Sequence, residues 1–139
     1  MNKITIKALV NAPIETVWQA YNAPEDIVQW NTASADWHTV NSSNDLWVGG
    51  QFSHRMEAKD GSMGFDFAGT YTEIVPFKKI VYEFGGRMAE VHFQALESGA
   101  ICMQISFDPE QEFPLEQQQA GWQAILDSFA NYVEQMQSA

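Results

Sequence analysis

Residues 51–107, QFSHRMEAKDGSMGFDFAGTYTEIVPFKKIVYEFGGRMAEVHFQALESGAICMQISF, decide the fold. Five segments within them alternate apolar and polar residues at period two: about 51 to 58, 63 to 75, 79 to 85, 88 to 96 and 100 to 107. Successive side chains of an extended chain point to opposite faces, so this alternation predicts strands with one buried face. The breaks are Asp60-Gly61, Pro76-Phe77, Gly85-Gly86 and Ser98-Gly99, turn-forming pairs at hairpin spacing. An antiparallel meander follows. Its buried face carries Phe52, His54 and Met56, then Phe65, Phe67 and Tyr71, then Ile80, Tyr82 and Phe84, then Val91 and Phe93, and last Ile101, Met103, Ile105 and Phe107. Arg55, Glu57, Asp66, Glu83, Glu90 and His92 fall on the other face, toward water.

Downstream, residues 115 to 137 place Trp122, Ile125, Leu126, Phe129, Tyr132, Val133 and Met136 at the spacing of an amphipathic helix, the longest expected in the chain. Upstream, residues 3 to 10 set Ile4, Ile6, Ala8 and Val10 against Thr5, Lys7 and Leu9 and predict a first strand. In Asn11-Ala12-Pro13, Asn11 offers a capping side chain and Pro13 a φ suited to a first helical turn, so a short helix should follow with Val17, Trp18 and Tyr21 inward. Asn22-Ala23-Pro24 stops that helix and starts another, ending near Trp30. From Thr32 to Asp45, Ser, Thr, Asn and Asp dominate, interrupted by Trp37, His38 and Val40, and predict loop with room for one short strand. The order of elements defines an α+β fold: a curved antiparallel sheet of six to seven strands, two short helices after the first strand, and a long C-terminal helix over one face. One helix cannot fill the concave side of so many strands. A gap beneath it is expected.

The chain has 139 residues, with 7 Lys plus Arg against 18 Asp plus Glu, a net charge of -11 and a pI of about 4.4. A length close to the commonest domain size predicts one domain, residues 1–139. Nucleic acid and anionic membranes are held by clustered Lys and Arg, which this composition lacks, so neither is expected as a partner. The single Cys102 can form no internal disulfide and reads as a buried small hydrophobe. The N-terminal stretch has no apolar run of signal-peptide or membrane-span length, so a cytoplasmic protein is expected.

Motifs for catalysis are absent. His38, His54 and His92 lack the spacing that pre-forms a zinc site, so no metal is expected. There is no nucleophile elbow, phosphate-binding loop or dinucleotide fingerprint, so no cofactor is expected and no catalytic residue is assigned. The inward set is instead aromatic and methionine-rich with a few polar tips, the make-up of a small-molecule pocket. The candidate ligand-binding residues are His54, Met56, Phe65, Phe67, Tyr71, Tyr82, Phe84, Phe93, Met103, Trp122 and Phe129. His54 with Tyr71 or Tyr82 is the one acid–base option, for proton transfer on a bound carbonyl compound.

Several short motifs in this order resemble a known superfamily. They are Ala12-Pro13 with Val17-Trp18, Trp30, Val48-Gly49-Gly50-Gln51-Phe52, Gly69-Thr70-Tyr71-Thr72-Glu73-Ile74-Val75-Pro76, Val91 and Phe93, and Gly121-Trp122 with Leu126, Phe129 and Tyr132. The chain is similar to START-like, helix-grip (SRPBCC) domains, and within them to the C-terminal domain of activators of the heat-shock-protein-90 ATPase. The resemblance implies a seven-stranded antiparallel sheet around the terminal helix, with a cavity that the superfamily uses for lipids, sterols, polyketides and other apolar molecules. It also implies that Gly121 permits close approach of helix to sheet and that Trp122 points toward the cavity. Gly99-Ala100 departs from the Gly-Thr pair the family often carries there, and chaperone activators add an N-terminal module not found in this sequence; both departures weigh against co-chaperone activity, and contact with a chaperone stays an alternative.

The function expected is therefore binding of a small apolar or aromatic molecule between sheet and helix, with no defined catalysis. The alternatives are a polyketide cyclase or dehydratase-type enzyme on the same scaffold, and a protein-interaction domain similar to the chaperone activator. The sequence leaves the oligomeric state open.

Overall fold

The computed structural model describes residues 3–138; Met1, Asn2 and Ala139, part of the expected single domain, lie outside the described residues. The elements are β1 (Ile4–Val10), α1 (Ile14–Asn22), α2 (Pro24–Trp30), β2 (Trp37–Asn44), β3 (Gln51–Ala58), β4 (Gly64–Val75), β5 (Lys79–Phe84), β6 (Arg87–Ala95), β7 (Ile101–Phe107) and α3 (Leu115–Ser138). All seven strands form one antiparallel sheet in the order β1-β7-β6-β5-β4-β3-β2, curled into a half-barrel around α3. The five predicted meander strands are β3 to β7. Since β1 and β2 lie at opposite edges, the chain between them must cross the open side of the half-barrel. Helices α1 and α2 make that crossing.

The interior has a solid part and a hollow part. Leu126, Phe129 and Val133 of α3 are buried against Ile6 and Val10 of β1, Met103 and Phe107 of β7, Val91 of β6 and Val17 of α1. Two side-chain ties fix the far end of α3. The Tyr132 hydroxyl donates to Asp26 Oδ1 of α2 at 2.6 Å, and the Asn11 backbone N–H and side-chain amide donate to Glu134 Oε2 at 2.9 and 3.1 Å. Asn11 therefore does not cap α1, whose N-cap is Pro13 with no side-chain bond. The carboxylate on α3 competes successfully for the Asn11 amide.

Strand β2 corrects the sequence reading most. Within the stretch expected as loop with room for one short strand, eight residues form a full edge strand paired to β3, with a register shift between Thr39 and Asn41. Past Trp37 its inward side chains, Thr39, Ser42 and Asn44, are polar, and the bulge breaks what alternation there is. Cys102 is a second correction. It lies half-buried on the outward face of β7, between inward Ile101 and Met103.

Gly69 of β4 is required by close packing. A Cβ there would lie 2.5 Å from the Glu83 carbonyl oxygen and 2.8 Å from the Phe52 ring, which lies across the β4 backbone.

Candidate functional site: a chamber under the terminal helix

Between the first half of α3 and strands β3, β4 and β5 lies a chamber of about 530 Å³. Its floor is built by Phe52, His54 and Met56 of β3, Phe65, Phe67 and Tyr71 of β4, and Ile80 and Tyr82 of β5. Gly121, Trp122 and Ile125 of α3 form the roof, and Tyr21, Ile27 and Trp30 of α1 and α2 close the inner end. At the mouth stand Trp37, Phe113, Arg87 and Glu110, with Phe65 and Phe113 about half exposed.

Seven of the expected residues meet here: His54, Met56, Phe65, Phe67, Tyr71, Tyr82 and Trp122. Phe84, Phe93, Met103 and Phe129 do not line the chamber. Phe84 packs against Trp122 and Phe67 at ring distances of 5.7 and 5.5 Å, and Phe93 meets Trp18 edge-on at 5.2 Å. Met103 and Phe129 are fully buried in the solid part. Their strand or helix face points inward, as expected, but other side chains fill the space in front of them.

Trp122 lies flat on Phe107 at 3.9 Å between centroids and 10° between planes, which fixes the indole in the roof. Gly121 behaves differently from its expected role. A Cβ there would meet nothing within 4 Å, so this glycine leaves room in the chamber and does not serve close approach to the sheet.

The polar groups divide into partnered and free. Strand β2 supplies the partners: the Tyr71 hydroxyl donates to Asn44 Oδ1 at 2.6 Å, and Ser42 Oγ lies 2.8 Å from His54 Nδ1. Asn44 in turn donates to the Asn22 carbonyl at 2.7 Å, tying floor to α1. The Tyr21 and Tyr82 hydroxyls bond no protein group among the described residues, and neither is sealed from accessible space. They face the chamber. Residue reasoning placed Tyr21 inward but did not include it in the site, and it missed Trp37 and Arg87 as site residues; a single aromatic in a polar stretch that reads as loop and a single cation at a strand start carry no periodic signal.

Burial sets the charge states. It raises the Tyr21, Tyr71 and Tyr82 hydroxyls well above the ordinary phenol value, with neighbouring tyrosines reinforcing the rise at Tyr71 and Tyr82. It lowers His54 from 6.5 to about 4, so the ring is neutral at pH 7. The sign of the stability effect follows. Below pH 6.5 the unfolded chain takes up a proton at His54 that the folded chain refuses until about pH 4, so this contribution is full above 6.5 and is lost as pH falls toward 4. At 1.36 kcal/mol per unit it amounts to about 3 kcal/mol at most. Urea midpoints between about pH 7 and pH 4.5 should fall more for the native chain than for His54→Gln, which has nothing to protonate there. Equal falls would refute the assignment.

A seven-stranded half-barrel that grips a long terminal helix, with a hollow between them, defines a START-like helix-grip domain of the ligand-binding type. The chain belongs to the family described as Activator of Hsp90 ATPase homolog 1-like protein, which matches residues 11–134. Among solved structures, the AHSA1-like protein of Aeromonas hydrophila is 47% identical, with 99% of this chain and 95% of that one covered and a TM-score of 0.90. A Cytophaga hutchinsonii protein is 44% identical over 99% of this chain and 96% of its own, with a TM-score of 0.83. A Chromobacterium violaceum protein is 26% identical over 96% and 99%, with a TM-score of 0.80. Among curated proteins, none matches the chain. Among the described residues no helix is long and apolar enough to cross a membrane.

Proposed function

We propose that the domain holds a small apolar or aromatic molecule in the chamber beneath α3 and performs no chemistry on it. One observation carries the reading: an aromatic-walled hollow of about 530 Å³ contains two tyrosine hydroxyls, on Tyr21 and Tyr82, with no protein partner among the described residues. Apolar guest surface removed from water contributes about 25 cal/mol per Å². A guest oxygen bonded to either hydroxyl would fix orientation, the role polar groups take in pockets of this kind.

Proton affinities favour binding over turnover. General acid–base catalysis works best when the group titrates near the working pH. Here burial moves the tyrosines up and His54 down, each away from neutrality. A polyketide cyclase or dehydratase on this scaffold would need one of them to exchange a proton near pH 7. A cytoplasmic setting and a partner that is neither nucleic acid nor membrane belong to the same reading; they rest on the lone thiol and the charge of -11.

The test is a fluorescence titration of the whole chain with N-phenyl-naphthylamine, an uncharged apolar probe, accompanied by native mass spectrometry of protein purified without organic additives. Saturation at one probe per chain is expected. A linear, non-saturating signal together with a mass spectrum of bare protein would overturn the proposal.

A further inference from the structure

Besides His54, which is neutral at pH 7, the chamber carries one basic and one acidic side chain among the described residues that line it, Arg87 and Glu110, and both are partly exposed, at the mouth. Arg87 begins β6 on the inward face, opposite Phe84, with its guanidinium carbon 4.4 Å over the Phe84 ring. Its polar contacts are long. Nη2 is 3.6 Å from Glu110 Oε2, and Nη1 is 3.4 Å from the Asp108 carbonyl oxygen. Charge-assisted N–H···O bonds are normally about 2.7–2.9 Å, and a guanidinium can present two parallel donors to one oxyanion. Stacking therefore holds Arg87 in place while its donor fork is poorly used.

Glu110 can leave without unfolding its loop. The loop is fastened through its backbone: Glu110 N–H donates to Gln118 Oε1 at 2.8 Å, and Gln118 Nε2 donates to the carbonyls of Glu110 at 2.9 Å and Phe113 at 2.8 Å. None of these bonds uses the Glu110 carboxylate. Deeper in the chamber, Tyr21, Tyr82 and His54 offer no positive charge to pair with an anion, and an unpaired buried charge is costly. An acidic head group can therefore be accepted only at the mouth.

We propose that Arg87 is an anion-recognising specificity residue, and that the guest is an amphipathic acid whose apolar body lies under α3 while its carboxylate, sulfonate or phosphate replaces Glu110 on the guanidinium. The proposal rests on the binding reading above and adds the charge of the guest. It goes against the protein's overall field, since a chain of net charge -11 repels anions at long range. Selection of an acid must then be local, which is what one guanidinium at the opening supplies.

Two probes that differ only by a sulfonate separate the outcomes: anilinonaphthalene sulfonate and N-phenyl-naphthylamine, each titrated into the whole native chain, Arg87→Gln, Arg87→Lys and Glu110→Gln. The quantity read is the ratio of anionic to neutral affinity. Arg87→Gln should lower it on the order of tenfold, the size of a bond to a charged group. Arg87→Lys should fall between, because an ammonium lacks the fork. Glu110→Gln should raise the ratio several-fold by removing the internal competitor, a gain that damaged folding cannot imitate. A ratio unchanged across the four proteins, with the neutral probe still bound, would overturn the inference alone. Failure of the neutral probe to bind the native chain would overturn the chamber reading and this inference with it.

Discussion

Phe129→Ala is expected to lower the unfolding free energy by about 3–5 kcal/mol, the range for large-to-small changes of a buried ring. Phe129 has no exposed surface, and its ring meets Tyr21 at 5.3 Å and Trp30 at 4.9 Å, both edge-on. These contacts join α3 to both crossing helices, so the void would open where three elements meet and none can collapse alone. Small domains are stable by only about 5–15 kcal/mol, so the variant should sit near its unfolding threshold. The control is Phe67→Ala. Phe67 already borders the chamber, and removing its ring enlarges an existing hollow. Its loss should be roughly half as large or less, because the cost depends on the new void created. Urea unfolding at constant slope measures both. Equal losses would mean that Phe129 is no more a packing residue than the chamber wall is.

Gly121→Leu is expected to do the opposite to binding and to stability. It should weaken N-phenyl-naphthylamine on the order of tenfold or more, since a pocket already sized for its guest has little room for four extra carbons. Yet the fold should gain about 0.5–1 kcal/mol, because glycine is among the poorest residues inside a helix and leucine among the best. The geometry permits both: Gly121 lies in α3, lines the chamber, and has nothing within 4 Å of where a Cβ would stand. A variant that is more stable and binds as well as the native chain would show that the guest sits elsewhere.

The meander, the terminal helix and the inward phase were legible because aromatic residues alternate so regularly from Phe52 to Phe107. Alternation reports which face a residue occupies. It does not report what lies in front of that face, which is why Phe93 and Met103 read like Phe67 and Tyr82 although the former are packed solid and the latter border a void. The distinction depends on where α1, α2 and α3 come to rest, and that is a tertiary fact. Strand β2 was illegible for a different reason. Past Trp37 its inward residues are Thr39, Ser42 and Asn44, chosen by the hydrogen bonds they make to Asn31, His54 and Tyr71, and hydrophobic patterning cannot register a strand whose buried face is polar along most of its length. The mouth residue Arg87 has no pattern at all; its position becomes informative only beside Glu110 and Phe84.

The unequal filling of the interior has a consequence for how freely this sequence can change. Residues on β1, β6, β7 and the second half of α3 supply the tight packing, whereas most of the chamber wall comes from β3, β4, β5 and the first half of α3. Exchanges in the second set touch empty space on one side, so the chamber can take up part of any change in side-chain volume. The scaffold can therefore trade one guest for another by successive wall substitutions while its thermodynamic anchor stays in a separate region, a form of robustness that uniformly packed domains lack.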